Sequence, residues 1–417
     1  MFETLRNAFK VGEIKDKLIF TGLMILVYRV GAAIPVPGID KAALASMFQS
    51  DFFGFLNIMS GGSFKNFTVF ALGIMPYINA SIILNLLTVV IPYLENLSKE
   101  GPEGRKKLVQ LTRYGTVVLG TLQGIGMTIY LKPALKSTSI WSYLVVVVTL
   151  TAGTAFLMWL GEMITERGIG NGISIIIFAG IVSRLPSGMV STVKYLQTGE
   201  LSWVSMVGFL VVAAVVIMGV IAIHEGERRI PVQYAKRVIG RKIYGGQSTH
   251  IPLKVNQAGV IPIIFAMSIL MFPTTIASWF PNSGFAQWVS RIFDFTSIWY
   301  MLVYGLLILF FTYFYTAMTF NPVDVADNLK KHGGFIPGYR PGKYTAEHIE
   351  KVVSRVTFSG AVFLALIALM PNVLWATTGV NFQFGGTSLL IMVGVALDTM
   401  KQLESQLLMR HYKGFMG

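Results

Sequence analysis

Residue types that usually carry out chemistry are scarce in this sequence of 417 residues. It contains no cysteine, which excludes thiolate nucleophiles, thiolate metal sites and disulfides. The five histidines are too far apart in sequence to form a local pair of metal ligands, so we expect no metal and no cofactor. Two glycine-rich stretches, 167–172 and 338–344, lack the spacing and context of a phosphate-binding loop. These observations argue against an enzyme.

The composition is that of a membrane protein. Hydrophobic residues make up 53% of the chain and charged residues 13%, against about 25% charged residues in soluble domains. A helix needs about 20 mostly apolar residues to cross the hydrocarbon layer, and no strand alternation of the kind found in barrels appears. The sequence predicts an all-α, polytopic fold with ten transmembrane helices, at residues 18–34, 70–94, 116–131, 143–160, 173–182, 203–223, 258–280, 299–320, 358–369 and 387–397.

Lysine and arginine are unevenly distributed between the predicted loops. With the N-terminus placed in the cytoplasm, segments on that side carry 26 of the 34 Lys and Arg residues, and the external loops carry 7. Positively charged loops stay cytoplasmic. We therefore expect a multi-pass protein of the cytoplasmic (inner or plasma) membrane with both termini in the cytoplasm.

The ten spans divide into two halves of five, residues 1–185 and 186–417. Because five is odd, the second half enters the membrane with inverted orientation, as in many transport proteins. The octapeptides 73–80 and 259–266 open the second span of each half and share Gly, Pro, Ile and Ala at matching positions. Either both are ordinary helix starts with proline in the first turn, or they are symmetry-related helices that face each other across a pore.

The predicted spans offer little for an ion or solute pathway, which normally contains buried charged residues. The spans are almost bare of charge: Arg29 lies near the end of the first span, and Glu162 and Asp398 lie at the ends of others. Isoleucine recurs instead, and a constriction of apolar side chains excludes water and ions by dewetting. The alternative is that these isoleucines simply face lipid or the core. A glycine-interrupted apolar segment, 52–64, is too broken to cross and suits a re-entrant element inside a funnel.

Two cytoplasmic loops, 224–255 and 321–355, are long and basic. Such loops could contact anionic lipid, RNA or an acidic protein surface. Prolines and glycines predict a turn-rich tip between 333 and 343. Residues 1–17 place apolar side chains on one helical face, which predicts an N-terminal helix lying in the membrane interface.

Several of these stretches make the chain similar to the SecY family, the channel subunits of the bacterial Sec protein translocase. The similarity extends over essentially the whole chain. The stretches that carry it are FALGIMPYI (70–78), TERGIGNGIS (165–174), QSTH (247–250), DNLKK (327–331), PGYRPG (337–342) and FGGTSLLI (384–391).

The resemblance implies an hourglass-shaped channel that opens across the membrane for unfolded secretory chains. It also implies sideways opening for membrane segments, between the second, third, seventh and eighth spans. The implied pore ring consists of Ile74, Ile78, Ile173, Ile177, Ile264 and Ile391. The implied plug lies within about 52–68 and includes Ile58, Met59, Ser60, Gly61, Gly62, Ser63 and Phe64. Asn85 and Asn256 match polar positions of the lateral gate.

The resemblance further implies a passive channel driven from outside. The long loops would dock the motor protein SecA, which hydrolyses the ATP, and the translating ribosome. The basic residues expected at this surface are Arg340, Arg241, Lys242, Arg228 and Arg229, and such side chains suit a phosphate-rich partner. SecE and SecG would be membrane partners, and polypeptides bearing signal sequences and the surrounding lipid would be the other contacts.

Two other classes of protein share some of these features. A secondary transporter of small solutes would have the bundle and the inverted repeat, but it would need a buried polar or charged site near Pro76 and Pro262. A structural scaffold or ribosome receptor would keep the basic loops without needing an isoleucine ring. In that case replacing Arg340 would matter, and replacing Ile78 and Ile264 by polar residues would not.

Overall fold

The computed structural model describes residues 8–40, 43–44, 63, 66–137, 139–198, 203–234, 237–239, 242–244, 248–280, 283–294, 297–378 and 386–413. Within these residues a helix occupies each of the ten predicted spans, and the predicted all-α class is confirmed. In chain order, and called spans 1 to 10 below, they are Gly12–Gly31, Met75–Val90, Pro102–Tyr130, Ile140–Arg167, Gly172–Val182, Trp203–Glu225, Ile261–Trp279, Ile298–Thr319, Lys343–Thr378 and Gly386–Lys413.

The spans differ in how clearly they are built to cross a bilayer. Among the described residues, five helical stretches are both long and apolar enough: Ile140–Arg167, Gly172–Val190, Met206–Glu225, Ile298–Lys331 and Lys343–Met370. Span 2 joins them if it is counted with the helix Pro92–Lys99, from which it is bent by 100°. The apolar part of span 7, Ile261–Ala277, is shorter than these stretches. Span 1 begins at Gly12, so it includes the last part of the segment expected to lie in the interface.

Shorter helices connect the spans. They are Pro92–Lys99, the 3-10 helix Lys132–Ala134, Leu185–Gln197, Gly284–Ile292 and Pro322–Lys331. Several helix starts are fixed by a side chain that accepts a backbone N–H of the first turn: Asn171 for span 5, Ser297 for span 8, Ser283 for Gly284–Ile292 and Asn321 for Pro322–Lys331. Such caps satisfy donors that the helix itself leaves free.

Packing joins the spans into two neighbouring groups. In the first five spans, span 3 packs against spans 2 and 4, and span 1 packs against spans 4 and 5. In the last five, span 8 packs between spans 7 and 9, and span 10 contacts spans 6 and 9. The groups meet where span 7 contacts spans 2 and 3, and where span 10 contacts spans 1 and 5.

A small antiparallel sheet stands at one end of the bundle. Its strands are β1 (Glu227–Tyr234), β4 (Ser248–Lys254) and β5 (Gly334–Phe335), in the order β4-β1-β5, while β2 (Arg237–Ile239) pairs with β3 (Lys242–Tyr244). These strands differ from the expectation of helices alone. The feature of the sequence that indicates them is the alternation in β1, in which Ile230 and Val232 are buried and their neighbours Arg229 and Pro231 are exposed.

Candidate functional site

The six isoleucines of the expected pore ring come from four spans and lie in one apolar cluster. Five of them are buried, and Ile173 packs partly buried against the same cluster. Spans 2 and 5 belong to the first group of spans and spans 7 and 10 to the second, so the cluster is shared by both groups. It is the general core of the bundle, because it also contains buried side chains of spans 1, 4, 6, 8 and 9, such as Leu157 and Tyr304. The ring itself stays a prediction.

Spans 2 and 7 begin with the same backbone conformation. Gly73 and Gly259 have φ angles of 58° and 62°, in the left-handed region that favours glycine. The next residues, Ile74 and Val260, have φ/ψ of −93°/0° and −92°/−6°, and each helix carries its proline in the first turn. The two matching octapeptides therefore share a backbone conformation as well as residue types.

Span 5 is positioned by the turn that the motif 165–174 forms after span 4. Gly170 has a φ of 85°, which lets the chain reverse. The Gly172 N–H donates to Thr165 Oγ1 at 2.9 Å, and the Asn171 side chain accepts the N–H of Ser174 at 3.1 Å. The motif that carries the resemblance is thus a capped reverse turn that delivers Ile173 and the residues after it.

Two glycines allow spans 4 and 5 to approach closely. A Cβ on Gly172 would overlap the carbonyl oxygen of Gly161, and a Cβ on Gly161 would overlap the end methyl of Ile173. Ile173 therefore lies against span 4. Ile177, one turn further on, is 1% exposed, whereas Ile173 is only partly buried. The two isoleucines of span 5 therefore differ in burial.

Span 7 contacts spans 2 and 3, and these are three of the four spans between which the lateral gate is expected. Asn85 of span 2 is half-buried. Asn256 is buried, and its Nδ2 donates to the Gly259 carbonyl at 3.0 Å, which holds the turn before span 7. Its Oδ1 is buried and has no hydrogen-bond partner among the described residues. The structure thus gives Asn256 a local role, and the gate role of both asparagines stays a prediction.

Most of the expected plug falls outside the described residues, namely Ile58, Met59, Ser60, Gly61, Gly62 and Phe64. Ser63 is fully buried, and its carbonyl accepts the N–H of Thr68 at 2.9 Å.

Comparison with known proteins identifies the family. The SecY family model matches residues 68–400. The "Protein translocase subunit SecY" of Halalkalibacterium halodurans is 50% identical over an alignment of 428 residues that covers 100% of both chains. The chain belongs to the SecY family. This confirms the expected resemblance, and with it the interpretation of the protein as the channel subunit of a protein translocase and not an enzyme.

Solved structures support the fold of this SecY family member. "The structure of a protein conducting channel" matches with a TM-score of 0.67 and 20% identity, covering 94% of this chain and 92% of that one. "Sec61 in the Canine ribosome-channel complex from the endoplasmic reticulum" matches with a TM-score of 0.63 and 19% identity over the same shares of the two chains. The arrangement of the spans is therefore that of known channel structures.

The basic loops of this SecY family chain are joined into one surface. Strand β1 of the first loop pairs with β5 of the second, with Gln233 opposite Phe335. Next to β5, Ile336 is 2% exposed and packs with Ile230 and Ile349 in an apolar cluster beneath the sheet. This anchor holds the turn-rich tip, where Arg340 is exposed.

The remaining basic residues expected at this surface have different positions. Arg228 and Arg229 are exposed on β1, and Arg229 Nε lies 2.6 Å from Glu227 Oε1. Lys242 is the first residue of β3, and Arg241 lies outside the described residues. The structure therefore brings Arg228, Arg229 and Arg340 to one end of the bundle, and their role in docking stays a prediction.

One polar group in the bundle was missed by the sequence analysis. His224, at the end of span 6, is 4% exposed, and neither ring nitrogen has a hydrogen-bond partner among the described residues. Asp398 Oδ1 of span 10 lies 3.6 Å from its Nε2, and Lys401 Nζ donates to the His224 carbonyl at 3.3 Å. These residues are far apart in sequence, so no local spacing could have paired them.

Proposed function

We propose that the protein forms the pore through which unfolded secretory polypeptides cross the cytoplasmic membrane, with the six isoleucines as its constriction. The observation that carries the proposal is that these six side chains, four from the first group of spans and two from the second, all belong to the one apolar core that the two groups share. A collar of branched apolar side chains excludes water and ions by dewetting and can still part around a bulky chain.

The proposal includes a sideways opening between spans 2 and 3 and spans 7 and 8. An apolar segment of the passing chain would leave the pore there and enter the lipid. Asn85 of span 2 and Asn256 before span 7 would be polar positions of this opening. The buried Oδ1 of Asn256 has no hydrogen-bond partner among the described residues, which costs free energy in the structure as it stands. The segment with Ile58 and Ser63 would be the plug that covers the pore on the external side.

The pore would be passive, and its energy would come from partners on the cytoplasmic side. The sheet and the tip bearing Arg340 would form the docking surface for the ribosome and for the motor SecA, with both chain termini on the same side. A related structure is described as Sec61 in a ribosome-channel complex, which supports the ribosome as a partner. SecE and SecG would bind in the membrane.

A polar substitution in the ring tests the proposal. Ile78→Asn should hydrate the constriction, and vesicles carrying this variant should leak small ions in the resting state. The matched control is Ile83→Asn, on the 45% exposed face of the same helix. A scaffold or receptor would show no difference between the two variants. A solute transporter would lose solute uptake and leave the movement of precursor polypeptides unchanged.

A further inference from the structure

A tryptophan of span 7 lies directly on a glycine of span 3. A Cβ built on Gly126 would overlap three ring atoms of the Trp279 indole. Trp279 is the last residue of span 7, and Gly126 is near the end of span 3, so the contact closes the two helices at the end away from the sheet. It is a knob seated in a notch that only glycine can form.

The other described glycines in the apolar part of span 3 do something different. Gly124 faces span 4, and Gly120 faces both span 4 and Pro76 of span 2. At both positions an added Cβ would meet its nearest neighbours at 3.6 to 3.9 Å, an ordinary contact distance. Gly115 faces Ala80 of span 2. These contacts stay within the first group of spans, whereas Gly126 receives a side chain from the second. The notch at Gly126 therefore lies on the line along which the groups would part.

The contact is built to be reversible. The indole Nε1 of Trp279 is buried and has no hydrogen-bond partner among the described residues, which opposes the seated position. Tryptophan at a membrane surface prefers to keep its N–H hydrated. Pro273 also interrupts the hydrogen bonds inside span 7, between the part with Ile264 and the part with Trp279. The end of the helix can therefore swing without the whole span moving.

We propose that Trp279 seated on Gly126 is the contact that closes the sideways opening between spans 3 and 7. It thereby sets how apolar a passing segment must be to leave through that opening. This inference rests on the proposed function. Its physical basis is that a segment which binds only the open form must supply the free energy that the closed contact contributes.

The test measures membrane insertion of two segments through the full-length chain with its partners in native membrane vesicles. One segment is fully apolar. The other has a shortened apolar stretch, chosen so that only a small fraction of its molecules inserts through the unaltered protein. Gly126→Ala and Trp279→Ala should each raise insertion of the shortened segment by roughly three- to tenfold, with little change for the full one. Alanine is a better helix former than glycine, so the gain cannot come from a weaker span 3.

The controls separate this contact from general loosening. Gly120→Ala adds the same methyl group to the same helix without a clash and should leave insertion unchanged. Combining Gly126→Ala with Trp279→Ala should give the effect of Trp279→Ala alone, because the added methyl then meets no indole. If Gly126→Ala fails to accumulate, Trp279→Phe tests the same contact, because it removes one ring and adds nothing.

Wild-type insertion in both single variants, or an additive double variant, would overturn the inference. Failure of the proposed function looks different, since the unaltered protein would then move neither segment and no secretory precursor.

Discussion

Arg113 of span 3 and Glu162 of span 4 form an ion pair with two parallel contacts. The Arg113 Nε donates to Oε1 at 2.9 Å, and Nη2 lies 2.8 Å from Oε2. The Glu162 side chain is 15% exposed and the Arg113 side chain 45%. The burial of this ion pair is therefore intermediate between that of a surface pair and that of a fully buried pair. It holds span 3, which also carries Gly126, against span 4.

Breaking this pair should lower stability by an intermediate amount. Glu162→Gln should cost about 1–2 kcal/mol, between the values for exposed and buried pairs. Arg113→Lys should also destabilise the protein, because lysine cannot reproduce the two-pronged contact. Thermal unfolding of the protein in detergent measures both. Glu95→Gln is the control, because its partner Lys99 is 69% exposed, and a loss as large there as at Glu162 would contradict the prediction.

Gly172 should not tolerate a side chain. Gly172→Ala places a methyl group on the backbone carbonyl oxygen of Gly161, which cannot move aside as a side chain can, and should cost roughly 1–3 kcal/mol through overpacking. Gly208→Ala in span 6, where no atom lies within 4 Å of the added Cβ, is the matched control and should be neutral or slightly stabilising. The thermal unfolding midpoints of the two variants test this prediction. Equal midpoints would show that span 5 can move away from span 4 at no cost in stability.

His224 should contribute little to stability, because its buried ring nitrogens are not hydrogen-bonded. Replacing a buried, unsatisfied polar group by an apolar one of similar shape is close to neutral or stabilising. We therefore expect His224→Phe to change the free energy of unfolding by less than about 1 kcal/mol or to increase it. His250→Phe, at an exposed position of β4, is the control. A marked loss of stability in His224→Phe alone would mean that the contact with Asp398 holds spans 6 and 10 together.

Arg340 should matter for docking and not for folding. If the tip binds ribosomal phosphate, Arg340→Ala should weaken ribosome binding and reduce the slope of log affinity against log salt by about 1. Arg291, which lies between spans 7 and 8 at the other end of the bundle, supplies the control Arg291→Ala. Binding titrations at several salt concentrations measure the slope, and equal slopes for the two variants would remove Arg340 from the interface.

The helices of the bundle were predictable from sequence because lipid leaves an apolar stretch few alternatives to the helix. The motif 165–174 was singled out because it carries the resemblance to the family, and the structure shows what it does locally. Its glycines and Asn171 form the capped turn that places span 5. The common backbone at Gly73 and Gly259 was likewise foreshadowed by the matching octapeptides.

Relationships between distant parts of the chain were not predictable in this way. Strand β5 has only two residues and is a strand because it pairs with β1. Nothing in the sequence of either loop indicates that the two loops pair. The contact of Trp279 with Gly126 and that of His224 with Asp398 also join separate spans. Sequence spacing reports neighbours on one helix, whereas these pairs depend on how helices pack.

The most direct test of the pore places a single cysteine at Ile78, which is possible because the chain has no cysteine of its own. A secretory precursor that carries one cysteine is stalled midway through export, and the sample is oxidised. We expect a disulfide between residue 78 and the precursor, and none when the new cysteine is at Ile83 on the exposed face of the same helix. If the thiol at 78 reacts with small reagents but never with the precursor, the isoleucine cluster is not the path of the polypeptide.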